Sequence, residues 1–119
     1  MQKRGTILLV DNEESTPPGI AAALGLLGYN IATAGDAASA VAKIAADASI
    51  LGMLVEIALD GATQVADHVA RFHPAVRIIF ITSYPEMLLF DREVPGGRPL
   101  LRKPLDAAQV RATLSAVNR

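Results

Sequence analysis

The sequence has no cysteine. That absence excludes disulfides, thiolate zinc centres and cysteine nucleophiles, fits a reducing compartment, and leaves the hydrophobic core as the only staple. Aromatic residues amount to only 4%, and neither sign of charge is in excess, since 11 Lys+Arg against 12 Asp+Glu leave a formal charge of −1 at pH 7. With no basic face for a phosphate backbone and few rings for bases to stack on, direct nucleic-acid binding is not expected. Apolar runs are short. None approaches the ~18 residues of a membrane span, and Met1-Gln2-Lys3-Arg4 leads into a strand-like run with no cleavage site behind it. A cytoplasmic chain with no membrane partner is the expectation.

What the 119 residues do have is apolar content, 51% hydrophobic against 19% charged. That is too apolar for disorder and enough for one core hiding roughly two thirds of the unfolded chain's surface. A single domain over residues 1–119 follows. Short β-rich runs alternate with Ala-rich amphipathic segments, with no linker, low-complexity tract or repeat between them. Thr6-Ile7-Leu8-Leu9-Val10 is continuously apolar, as a strand covered on both faces must be, and ends at Asp11. Ser15-Thr16-Pro17 opens a helix carrying Ile20, Ala23, Leu24 and Leu27, and Gly28 is a natural left-handed stop.

Tyr29 to Ala34 reads as strand two. Asp36 is placed to cap a helix with Ala37, Val41, Ile44 and Ala48 as its stripe. Ile50 to Val55 is strand three, ending at Glu56. Val65, Val69 and Phe72 mark a helix that Pro74 closes at His73. Arg77 to Ile81 is strand four, ending at Thr82. Tyr84 to Pro99 mixes a short helical run with Pro95-Gly96-Gly97, which must be loop, and is expected to be mobile. Leu100-Leu101-Arg102 is strand five, ending at Lys103, and Leu105-Asp106 starts a last helix with Ala107, Val110, Leu114 and Val117 inward. Five strands with right-handed helical crossovers predict a doubly wound parallel α/β sheet, flavodoxin-like, in order 2-1-3-4-5.

In such a sheet ligands sit outside the carboxyl ends of the strands. Four of the five strands deliver polar residues there: Asp11-Asn12-Glu13, Glu56, Thr82 and Lys103. Carboxylates beside a lysine and a hydroxyl make a cradle for a divalent cation and a phosphoryl oxygen, because the cation takes oxygen ligands while Lys and Thr contact the anion.

At these residues the sequence resembles the receiver domain of two-component response regulators. Ile7-Leu8-Leu9-Val10-Asp11-Asn12-Glu13 is similar to the family's acidic first loop, and Leu54-Val55-Glu56-Ile57-Ala58-Leu59-Asp60-Gly61 to its phosphorylation segment. Ile81-Thr82-Ser83 is similar to its hydroxyl switch, and Leu101-Arg102-Lys103-Pro104 to its Lys-Pro motif. Phe80-Ile81-Thr82-Ser83-Tyr84 partly resembles a stand-alone bacterial subgroup with a Phe-Ala-Thr-Gly run. The resemblance implies phosphotransfer from a histidine kinase to an aspartate beside Mg²⁺. Any metal would be held by Asn12, Glu56 and the Ala58 backbone. Thr82 and Lys103 would contact the phosphate, and a cis Lys103-Pro104 bond would aim the lysine at Glu56 or Asp11.

Three positions depart from that pattern. Glu56 stands at the phosphoacceptor position and is one methylene, about 1.5 Å, longer than aspartate. Asn12 stands where a second metal-binding acid is usual, so Mg²⁺ is expected to bind weakly. Leu100 stands at the position of the switch aromatic; Tyr84, just after a strand, is read as a half-buried packing residue, with substitution for that ring as the lesser reading. A misplacement of ~1 Å costs ~10²-fold in an in-line reaction, so the reading is a receiver-like signalling domain, not an enzyme, impaired in phosphorylation and acting through contacts with a histidine kinase or other signalling protein. Glu56 then either imitates the acyl phosphate or pairs with Lys103 in a lost site. The alternatives are an ordinary phosphoacceptor receiver and, from another class, a small phosphotransfer or hydrolytic enzyme on the same sheet. The chain ends with its last helix, leaving no room for an output domain, so it acts alone or is a fragment of a longer regulator. The composition does not define its oligomeric state.

His68 and His73 are five apart and are read as surface residues that do not share a helix face. Asp60-Gly61 reads as turn chemistry, Met53 as core, and the scattered arginines as solvated faces.

Overall fold

Five apolar runs become five parallel strands because each has a helix to cover it on one side or the other. The computed structural model describes residues 4–11, 18–83 and 94–117. In chain order these form β1 (Gly5–Val10), α1 (Pro18–Leu26), β2 (Tyr29–Ala34), α2 (Ala37–Ala46), β3 (Ile50–Glu56) and α3 (Ala62–Phe72). There follow β4 (Arg77–Thr82), a short 3₁₀ turn (Pro95–Gly97), β5 (Leu100–Arg102) and a helix here called α4 (Ala107–Val117). The sheet order is β2-β1-β3-β4-β5, all parallel, as expected.

Alternation along the strands divides the core into two layers. Leu8, Val10, Met53, Val55, Ile78 and Phe80 pack with Ile44 of α2 and Val65 and Val69 of α3 on one face. Ile7, Leu9, Leu54, Ile79 and Ile81 pack with Leu24 of α1 and Val110 and Leu114 of α4 on the other. Met53 is fully buried, as read from the sequence.

Local chemistry sets the helix ends. Gly28 has φ 99°, a left-handed conformation that glycine adopts without a Cβ clash, and its N–H bonds the Gly25 carbonyl as α1 closes. Asp36 Oδ1 accepts from the Ser39 N–H at 2.7 Å, the expected cap of α2, and these bonds hold the carboxyl below its ordinary range. Asp106 Oδ1 accepts from the Ala108 N–H at 2.8 Å at the start of α4. Asp60-Gly61 is a turn, with Gly61 at φ 79°.

Several expectations need correction. Ala48 lies beyond α2 and is exposed, and the buried positions of that helix are Ala40 and Ile44. An alanine-rich helix gives little contrast between its faces, so its apolar spacing alone does not set which alanines face the core. Phe72 is 59% exposed, since α3 ends there and its last turn has already left the core; its ring lies 4.8 Å from His68, centroid to centroid. His68 and His73 are half-buried and 6.2 Å apart, because His73 has left the helix as its C-cap and the five-residue separation no longer turns the rings apart. Arg77 and Arg98 are half-buried, contrary to the reading of the arginines as solvated. Ser15-Thr16-Pro17, Tyr84 and the helical part of Tyr84 to Pro99 lie outside the described residues, as does the side chain of Val117.

Candidate functional site

Strand register brings the site together. Val10 is level with Val55, and Glu56 with Ile81, so the next residue of β1, Asp11, emerges beside Glu56 at the carboxyl edge of the sheet. Thr82 is level with Arg102, and its carbonyl accepts from the Lys103 N–H at 2.8 Å, which starts the lysine on the same edge. The Lys103–Pro104 bond is cis.

The lysine crosses to both acids. Its Nζ donates to Asp11 Oδ2 at 2.5 Å and lies 2.8 Å from Glu56 Oε1. The three side chains are only 11 to 16% exposed, so water screens the pairs weakly. Burial pulls the Lys103 ammonium down, but the hydrogen bonds and the charges of Asp11 and Glu56 outweigh it. The net effect holds the ammonium above its ordinary value of 10.5.

Glu56 uses its extra methylene to reach further. Its Oε2 accepts from the Ala58 N–H at 3.1 Å, so the carboxylate is gripped on both oxygens. The Ala58 backbone, expected in the site as a metal ligand, lies beside Glu56 and gives it this N–H. The Glu56 carbonyl accepts from the Leu59 N–H, which folds the chain back toward α3. Thr82 is buried at the end of β4. Leu100 is level with Phe80 and packs against the layer that holds it. Asn12 and Glu13 lie outside the described residues.

Mg²⁺ prefers near-octahedral oxygen ligation through one or two carboxylates and water. Asp11 and Glu56 are the two carboxylates on hand, and both already face one ammonium. Among the described residues no three His, Cys, Asp or Glu side chains converge to hold a metal.

No protein-family model and no curated protein matches the sequence. Solved structures do. The receiver domain of the PhyR response regulator from Erythrobacter litoralis is 29% identical, with TM-score 0.69 over 97% of this chain and 90% of that one. The CheX–CheY–BeF₃–Mg²⁺ complex from Borrelia burgdorferi gives 25% identity and TM-score 0.73 over 95% and 88%. The signal receiver domain of an HD domain-containing protein from Pseudomonas fluorescens gives 23% and 0.76 over 97% and 94%. The chain has the fold of a response regulator receiver domain, a module of two-component signalling. Among the described residues no helix is long and apolar enough to cross a membrane.

Proposed function

We propose that this chain is a receiver-like signalling domain of a two-component phosphorelay in which Glu56 is not a working phosphoacceptor. It acts by contact with a histidine kinase or another signalling protein, not as an enzyme, and holds Mg²⁺ weakly. The observation that carries this reading is the double grip on Glu56, Lys103 on one oxygen and the Ala58 N–H on the other. In-line transfer needs an acid oxygen facing phosphorus at about 3–3.5 Å, and ~1 Å of error costs ~10²-fold. A carboxylate about 1.5 Å further along its side chain and turned onto two neighbours does not meet that demand.

The same grip favours a second reading, in which Glu56 imitates an acyl phosphate by engaging the lysine and a backbone donor at once. It does so with one charge against nearly two and without the third oxygen. The test common to both readings is the intact mass of the protein after incubation with Mg²⁺ and an acyl phosphate. No phosphorylated species is expected, and a species labelled at Glu56 overturns the proposal.

A further inference from the structure

The two histidines lie at the end of α3 remote from Glu56. The helix runs eleven residues from Ala62 to Phe72, about 16 Å at a rise of about 1.5 Å each. His68 belongs to it, and His73 is its C-cap, with φ −136° and ψ 62°. Pro74 follows, and the residue before a proline is kept out of the helical region, so the chain turns away from α3 at His73. The His73 N–H still bonds the Val69 carbonyl at 2.8 Å, which holds the residue against the last turn. On an unbroken helix a five-residue step puts two side chains on different faces. Here the departure brings the ring centroids to 6.2 Å.

That separation suits one ion held between two imidazoles. With Zn–N bonds of about 2.0–2.1 Å and each ring centroid roughly 1 Å beyond its nitrogen, the centroids stand about 5 Å apart at a tetrahedral angle and about 6 Å apart across the ion. Both residues are half-buried, which restricts the rings without sealing them from solvent. His68 also rests against Phe72, with centroids 4.8 Å apart and a tilt of 46°. Among the described residues no third His, Cys, Asp or Glu completes a cluster, so water fills the remaining positions. The Arg71 guanidinium lies 5.2 Å from the Phe72 ring centroid. It puts one positive charge in the neighbourhood, which lowers the affinity for a cation.

We infer that His68 and His73 form a two-histidine site for a first-row transition-metal ion of the class that imidazole suits, Zn²⁺, Ni²⁺ or Cu²⁺. The neutral ring is the ligand, and the pair supplies two of the four positions of a tetrahedral zinc. The ion ties the last turn of α3 to the residue that leaves it. Half the ligands of a structural zinc site give an affinity of roughly 10–100 µM. Mg²⁺, which seeks oxygen ligands, is not held there. The site shares no residue with Asp11, Glu56 and Lys103 and is independent of the proposed signalling role.

The test is an NMR titration of the full chain, ¹⁵N-labelled, with Zn²⁺ in weakly alkaline, chelator-free buffer and with Mg²⁺ as the control. Zn²⁺ is expected to shift the imidazole nitrogens of His68 and His73 together and saturably, with half-saturation at roughly 10–100 µM, while Mg²⁺ moves neither ring. His68→Gln and His73→Gln each remove one imidazole and are expected to weaken Zn²⁺ binding by about tenfold or more. The imidazole signals of the wild type decide the matter where a variant does not fold. A response of only one ring, equal responses to Zn²⁺ and Mg²⁺, no saturation in the micromolar range, or unchanged binding in either folded variant overturns the inference.

Discussion

Lys103 Nζ and Asp11 Oδ2 meet at 2.5 Å across 92 residues of sequence, and the same ammonium lies 2.8 Å from Glu56 Oε1. Removing the lysine takes the shared ammonium away from two part-buried carboxylates, Asp11 and Glu56. Lys103→Ala is expected to lower stability by about 1–3 kcal/mol, measured by chemical denaturation at neutral pH. A change below about 0.3 kcal/mol would mean that water screens the contact as at an open surface.

The same pair sets a pH response at the alkaline end. The folded Lys103 holds its proton above the unfolded value of 10.5, so between the two values the native state binds more protons than the unfolded one and stability falls as pH rises. The contribution is complete below 10.5 and lost as pH climbs through the raised folded value. Denaturation of wild type and Lys103→Met, compared from neutral to strongly alkaline pH, should show the gap between them closing above 10.5. A constant gap contradicts the charge-pair origin of the effect.

Gly52 of β3 faces α4, where an added Cβ would meet Leu114 Cδ2 at 2.7 Å. Gly52→Ala should therefore cost about 1–3 kcal/mol by overpacking. Because the obstacle is the end of a side chain, Leu114→Val should relieve part of that cost. The double variant is expected to lose less than the sum of the singles, and strict additivity would show that the backbone, not Leu114, resists the methyl.

Phe72 gives the opposite case. Its ring is 59% exposed while Val69, one turn earlier, is fully buried. Phe72→Ser should change thermal stability much less than Val69→Ala, for which methyl deletion leaves a cavity. Equal losses would place the Phe72 ring in the core after all.

These contrasts mark where sequence was informative. The strands were legible because a strand buried on both faces has to be continuously apolar, and β1, β3 and β4 are. Asp11, Glu56, Thr82 and Lys103 were legible as a group because the sheet order brings strand ends to one edge. The register of α2 was not, since alanine differs little between core and surface. Nor was Phe72, whose spacing continues the stripe one turn past the last contact. The Ala58 grip on Glu56 depends on side-chain torsions, which no sequence period encodes.

The most direct measurement of the central claim is phosphorylation by a small acyl phosphate with Mg²⁺, compared among wild type, Glu56→Asp and Glu56→Asp/Asn12→Asp. The shorter acid restores position, and the second aspartate restores charge for the cation, with non-additive effects because both would serve one ion. The account predicts an unlabelled wild type, some acceptance in the single variant and more in the double. Mg²⁺-dependent labelling of wild type at Glu56, or a folded double variant that stays unlabelled, contradicts it.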